Sequence, residues 1–105
     1  MSTHVLKTRT PWFERVIAGE KTAEVRRHDR DFQVGDVLHL VEVDDRGWRV
    51  QHYEPGRRGE TGRFASPYYT RWADVRVTHV LPAALGIGLA EGYCLLSIEL
   101  VEVGP

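Results

Sequence analysis

The sequence predicts an α+β fold: a small, mostly antiparallel, partly open β-barrel of five to six strands with one or two short helices. Three observations lead there. Only residues 10–19 carry an apolar stripe of helical spacing between a start and a stop signal. Several other stretches alternate with period two or are rich in β-branched residues. The links between them are short and hold Gly and Asp, as hairpins require. A chain of 105 residues is long enough for one domain, 1–105, with a modest core.

Residues 3–7 (Thr-His-Val-Leu-Lys) read as a first strand. Thr10 and Pro11 open a helix as N-cap and first helical residue. Trp12, Phe13, Val16 and Ile17 form its apolar stripe, and Gly19 stops it. From Thr22 the period becomes two. Ala23 and Val25 face one way, while Thr22, Glu24 and Arg26 face the other. After a polar loop and the turn Val34-Gly35-Asp36, residues 37–43 are a nearly all-apolar strand. Asp44-Asp45-Arg46-Gly47 makes a hairpin turn, and residues 48–53 return as the partner strand. Residues 55–67 are the longest irregular segment. Residues 74–81 and 93–103 are the last two strands, with room for a second short helix near residues 82–90.

Hydrophobic residues at 42% and charged residues at 28% are globular values. No apolar run approaches about 18 residues, so no membrane span is expected. The first residues lack the pattern of a signal peptide. The single Cys94 excludes an intrachain disulfide and a Cys-based zinc site, and it fits a reducing cytoplasm. The formal charge of −1 argues against non-specific nucleic-acid binding by the whole surface. That average hides a polarity. Arg57, Arg58, Arg63 and Arg71 against Glu60 give the 55–72 segment a local +3, while the chain from Glu91 onward carries only Glu91, Glu99 and Glu102. Twelve of the 14 basic residues are Arg, the better residue for bidentate phosphate contacts and base stacking.

Residues 19–26, Gly-Glu-Lys-Thr-Ala-Glu-Val-Arg, resemble the Gly-x-Lys-x-x-Glu-x-Arg signature of the ASCH domain, a branch of the PUA-like superfamily. Further blocks strengthen the likeness: Trp12-Phe13-Glu14 before the motif, then residues 29–38, Thr61-Gly62-Arg63, residues 75–81 and Glu91-Gly92-Tyr93. Together they resemble the small DUF3850 subgroup over nearly the whole chain. His28 stands where the subgroup pattern has Asn. The resemblance implies a PUA-like pseudo-barrel with a helix beside a cleft, and recognition of RNA or a modified nucleoside. In a related group that hydrolyses the amide of N4-acetylcytidine, a Thr nucleophile occupies the position of Glu24. A Thr-based acyl-enzyme route is therefore not expected here.

Strand geometry sets Thr22, Glu24 and Arg26 on one face, about 7 Å apart per step. Lys21, at the bend before the strand, can turn onto that face. Two cations then flank a carboxylate beside a hydroxyl. Lys21 and Arg26 can hold a phosphate, a carbonyl oxygen or a developing oxyanion. Glu24 can accept from a base edge or act as a general base on water. The plainer reading is a same-face ion pair worth about 0–1 kcal/mol at a surface.

The second candidate region holds Arg57, Arg58 and Arg63 with Phe64, Tyr68, Tyr69 and Trp72 nearby. Such interleaving suits single-stranded RNA, with bases on rings and phosphates on Arg. Tyr69 and Trp72 are expected in the core. His39 and His52 sit on candidate partner strands, yet the five histidines show no metal spacing. Gly86-Ile87-Gly88 lacks the strand and helix of a nucleotide fingerprint. Cys94 reads as a buried strand residue. Neither cofactor nor metal is expected.

Three functions remain open. The first is RNA binding through Lys21, Thr22, Glu24 and Arg26, with Arg57, Arg58 and Arg63 extending the surface. The second is hydrolysis of acetylated cytidine or of RNA by Lys21 and Glu24. The third is a protein-interaction module built on the aromatics at 64–72.

Overall fold

Alternation of apolar and polar residues builds most of this chain into strands. The computed structural model describes residues 1–59, 62–63, 65–83, 85 and 88–105. Its elements are β1 (Thr3–Arg9), α1 (Thr10–Ile17), β2 (Ala23–Arg27), β3 (Val37–Val43), β4 (His52–Tyr53), β5 (Tyr68–Tyr69), β6 (Trp72–Pro82) and β7 (Tyr93–Gly104). Five strands make one curled sheet, a half-barrel, in the order β1-β3-β6-β7-β2. β1 runs parallel to β3, and the other three pairings are antiparallel. The β6–β7 ladder shifts register at Asp74/Val75 and at Val77/His79. Such irregularities bend a strand and raise its twist, which helps the sheet curl.

The concave face buries every second residue of the long strands: Leu38 and Leu40, Val75 and Val77, and Cys94, Leu96 and Ile98. Leu6, Phe32 and Val16 complete that cluster. Residues 37–43, 74–81 and 93–103 lie in strands as expected, and Cys94 is buried as expected.

Phe13 and Val16 anchor α1 to the sheet. Pro11 stands in its first turn as expected, but the cap does not. Arg9 is the N-cap residue and makes no side-chain cap. Thr10 Oγ1 instead donates to Glu42 Oε2 at 2.7 Å. A buried carboxylate is a stronger acceptor partner than a helix end that water can solvate. At the other end Gly19 N–H donates to Val16 O (3.0 Å) and Glu20 N–H to Arg15 O (3.0 Å), a Schellman closure. That closure needs a left-handed residue, and Gly19 supplies it at φ +76°.

Three expectations about elements are corrected. Residues 48–53 return along β3 only at its end, where Asp44 N–H donates to Trp48 O (2.8 Å) and Val50 N–H to Glu42 O (3.2 Å). They make one bridge, Val43 to Arg49, and then His52–Tyr53 pairs with Tyr68–Tyr69. β1 and β6 already occupy the two edges of β3 up to Val41, so little of it is left to pair. His39 and His52 are consequently not neighbours. His39 Nδ1 meets Asp74 Oδ1 at 2.6 Å, and His52 Nε2 meets Glu42 Oε1 at 2.7 Å. The described residues between 82 and 90 form a strand end and turns rather than a second helix. Gly86 and Ile87 lie outside the described residues, as do Glu60, Thr61 and Phe64.

Candidate functional site

The half-barrel has two edge strands, β1 and β2, and the chain brings them together across an open seam. Arg26, on β2, spans that seam. Its Nη2 donates to Lys7 O (3.0 Å) and to Thr8 Oγ1 (3.1 Å) on β1. A cleft of about 440 Å³ opens there, lined by both strands, by Lys21 and by Trp12 of α1.

Its centre is Glu24, 4% exposed and paired in register with Leu96 of β7. Lys21 Nζ donates to Glu24 Oε1 at 2.5 Å, and also to Ala23 O. Arg26 Nε donates to Glu24 Oε2 at 2.9 Å. A carboxylate this buried has to be paired, and here each oxygen meets one cation. The local backbone explains the convergence. The Gly19 closure reverses the chain, Lys21 N–H still bonds Arg15 O (3.1 Å), and β2 begins two residues later. Period two then turns Glu24 and Arg26 inward and leaves Val25 exposed.

The expected trio Lys21, Glu24 and Arg26 thus comes together in space. Thr22 does not join it. It precedes β2, is exposed, and offers its carbonyl to Ile98 N–H (2.9 Å). The cleft also holds Lys7, Thr8, Arg9 and Trp12, which sequence reasoning left out. Trp12 lies about 100° around the helix from Phe13, and that angle takes it off the buried face. Its 53% exposure marks the difference from Phe13, which is fully buried. A 3.6-residue projection could have found this. The partners from β1 could not be found locally, since they lie 18 and 19 residues from Arg26.

Chemically, the cleft sets two cations, Lys21 and Arg26, on one carboxylate, and Lys7 and Arg9 also line it. An ammonium has three N–H donors and a guanidinium five. Two of the Lys21 donors go to Glu24 and Ala23, and the Arg26 donors in use sit on Nε and Nη2. Among the described residues the Arg26 Nη1 donors meet no acceptor, so they remain for a phosphate or carbonyl oxygen.

Arg57, Arg58 and Arg63 do not line the cleft. They belong to the segment closing the β4–β5 ribbon. Arg57 stacks 4.2 Å over the Tyr69 ring, bonds Ser66 O and pairs with Glu54. Arg58 Nη1 donates to Gly62 O at 2.9 Å. Arg63 is exposed. Tyr68 is exposed, whereas Tyr69 and Trp72 are half-buried.

Arg71 is an internal anchor. It grips the fully buried Glu42 through Nε and Nη2, both at 2.9 Å, and reaches Glu14 of α1 at 2.5 Å. Burial alone would raise the Glu42 pKa. The hydrogen bonds from Arg71, His52 and Thr10 outweigh it and bring the group down to about 2. This cluster pins both Thr10 and Glu14, and with them the helix that carries Trp12.

Among the described residues no group of three His, Cys, Asp or Glu could hold a metal ion, and no helix is long and apolar enough to cross a membrane. No curated protein matches the chain. The family model described as a domain of unknown function, DUF3850, matches residues 3–98. That span contains the helix, the Gly19–Arg26 motif, both strands of the seam and all ten residues lining the cleft, and the chain belongs to the DUF3850 family.

Proposed function

We propose that this chain is an RNA-binding domain of the ASCH, PUA-like kind, taking RNA or a modified nucleoside into the seam between β1 and β2. One observation carries the reading. Lys21 and Arg26 hold a single buried carboxylate in a cleft of about 440 Å³ that Lys7 and Arg9 also line, within the size range of small-ligand sites. The cations suit phosphate, and Glu24 with Thr8 suits the donors and acceptors of a base edge. The lone buried Cys94 fits a cytoplasmic setting.

Filter binding of a single-stranded RNA across salt concentrations tests this. Affinity should fall with log salt at about −0.7 per phosphate contact. Lys7→Ala and Arg9→Ala are the informative variants, because both side chains are exposed and neither pairs with Glu24. Each should weaken binding and flatten the slope. No binding at low salt, or no change in the double variant, contradicts the reading.

The 2.5 Å contact of Lys21 with Glu24 favours a second reading, hydrolysis of acetylated cytidine or RNA. Glu24 would activate water and Lys21 would steady the oxyanion. Chromatography of N4-acetylcytidine and short RNAs after incubation decides it. Turnover should vanish in Glu24→Gln and Lys21→Ala, and turnover that survives both belongs to another source.

A further inference from the structure

We propose that Trp12 is a stacking platform for one unpaired base, so that the cleft selects single-stranded RNA over duplex. This rests on the RNA reading of the cleft and deepens it. An isolated exposed aromatic is ordinary, but three observations set Trp12 apart. It lines the cleft beside Lys7, Arg9, Lys21 and Arg26, so a stacked base would bring its phosphates to cations. It is 53% exposed, and among the described residues no other ring covers it. It also sits on a fixed support. Phe13 and Val16 on the same helix are buried, Thr10 is held by Glu42, and Glu14 is held by Arg71. A platform already ordered loses little entropy when a base lands on it.

The geometry also sets the strand requirement. Ring-on-base stacking needs a base face, and duplex RNA presents base edges in its grooves while its faces are stacked on one another. A cleft of about 440 Å³ has room for one small ligand and not for a helix. The base that enters must therefore be unpaired.

The test uses the full chain with a 12-nucleotide single-stranded RNA, the same RNA annealed to its complement, and the same backbone carrying abasic sites. Wild type, Trp12→Ala and Trp12→Phe are compared by filter binding. Single-stranded RNA should bind wild type more tightly than duplex. Trp12→Ala should lose about 5- to 150-fold, the range for one base stack, and Trp12→Phe should keep most of the affinity. The abasic RNA should bind wild type about as weakly as Trp12→Ala binds intact RNA. A second readout does not depend on an alanine variant folding. In a Trp48→Phe background, RNA should quench fluorescence, and adding Trp12→Phe should remove that quenching. Equal affinity of wild type and Trp12→Ala, or of abasic and intact RNA, overturns the platform while leaving the RNA reading standing. Absence of any RNA binding by wild type overturns both.

Discussion

Glu42→Gln removes the charge that holds α1 over the cleft, and its cost can be worked from the structure. Glu42 is fully buried and accepts from Arg71 twice, from His52 and from Thr10. Its pKa falls from 4.5 to about 2 on folding, although burial alone would raise it. At 1.36 kcal/mol per pKa unit, that difference is worth about 3 kcal/mol. A folded-state pKa below the unfolded one stabilises above pH 4.5, and the contribution is lost as pH falls through about 2. By pH 3 about 2 kcal/mol of it is gone. Asp36 acts in the same direction. Burial opposes its ionisation, but Ser2 N–H, His4 and Gln33 N–H bring it from 3.8 to about 2. It adds about 1 kcal/mol to the loss by pH 3. Urea unfolding followed by tryptophan fluorescence at pH 7 and pH 3 reads these quantities. Wild type should lose about 3 kcal/mol between the two. Glu42→Gln should start about 3 kcal/mol less stable at pH 7, because Arg71 keeps only Glu14, and should then lose only about 1 kcal/mol. A variant that loses as much as wild type refutes the assignment of the acid-labile stability to Glu42.

Three further outcomes are expected. Gly19→Ala should cost about 1–2 kcal/mol in a thermal melt. Its φ is +76° with nothing within 4 Å, so the penalty is purely conformational, and an unchanged melt would show that the closure relaxes. Gly104→Ala should cost about 1–3 kcal/mol by crowding, since a Cβ there falls 2.0 Å from the Trp72 ring. Wild-type stability in that variant would mean that the ring swings clear. Leu96→Ala, at a fully buried position opposite Glu24, should lower stability by about 2–5 kcal/mol in urea. A loss below 1 kcal/mol would contradict the tight packing beneath the cleft.

Local pattern made the long strands legible. Leu38 and Leu40, Val75 and Val77, and Cys94 and Leu96 alternate where period two says they should. Pro11 and Gly19 bounded the helix for the same reason, because their backbone preferences act without tertiary help. Lys21, Glu24 and Arg26 could be grouped because a bend and a short strand place them. What stayed hidden was long-range. The parallel pairing of β1 with β3, the seam it creates, and Thr8 under Arg26 depend on strand order, which periodicity does not encode. Thr10 illustrates the same limit. Its residue type suits a cap, yet a buried carboxylate 32 positions away takes its hydroxyl. Trp12 departs from the expected stripe for a simpler reason: the helix buries only Phe13 and Val16 fully.

On the proposed reading, RNA enters at the seam between β1 and β2. Amide chemical-shift mapping of the labelled chain with a single-stranded RNA tests it most directly. Shifts should cluster at residues 7–12 and 21–26. Shifts confined to the β4–β5 ribbon and the arginines at 57, 58 and 63, with the seam unmoved at saturating RNA, would contradict it.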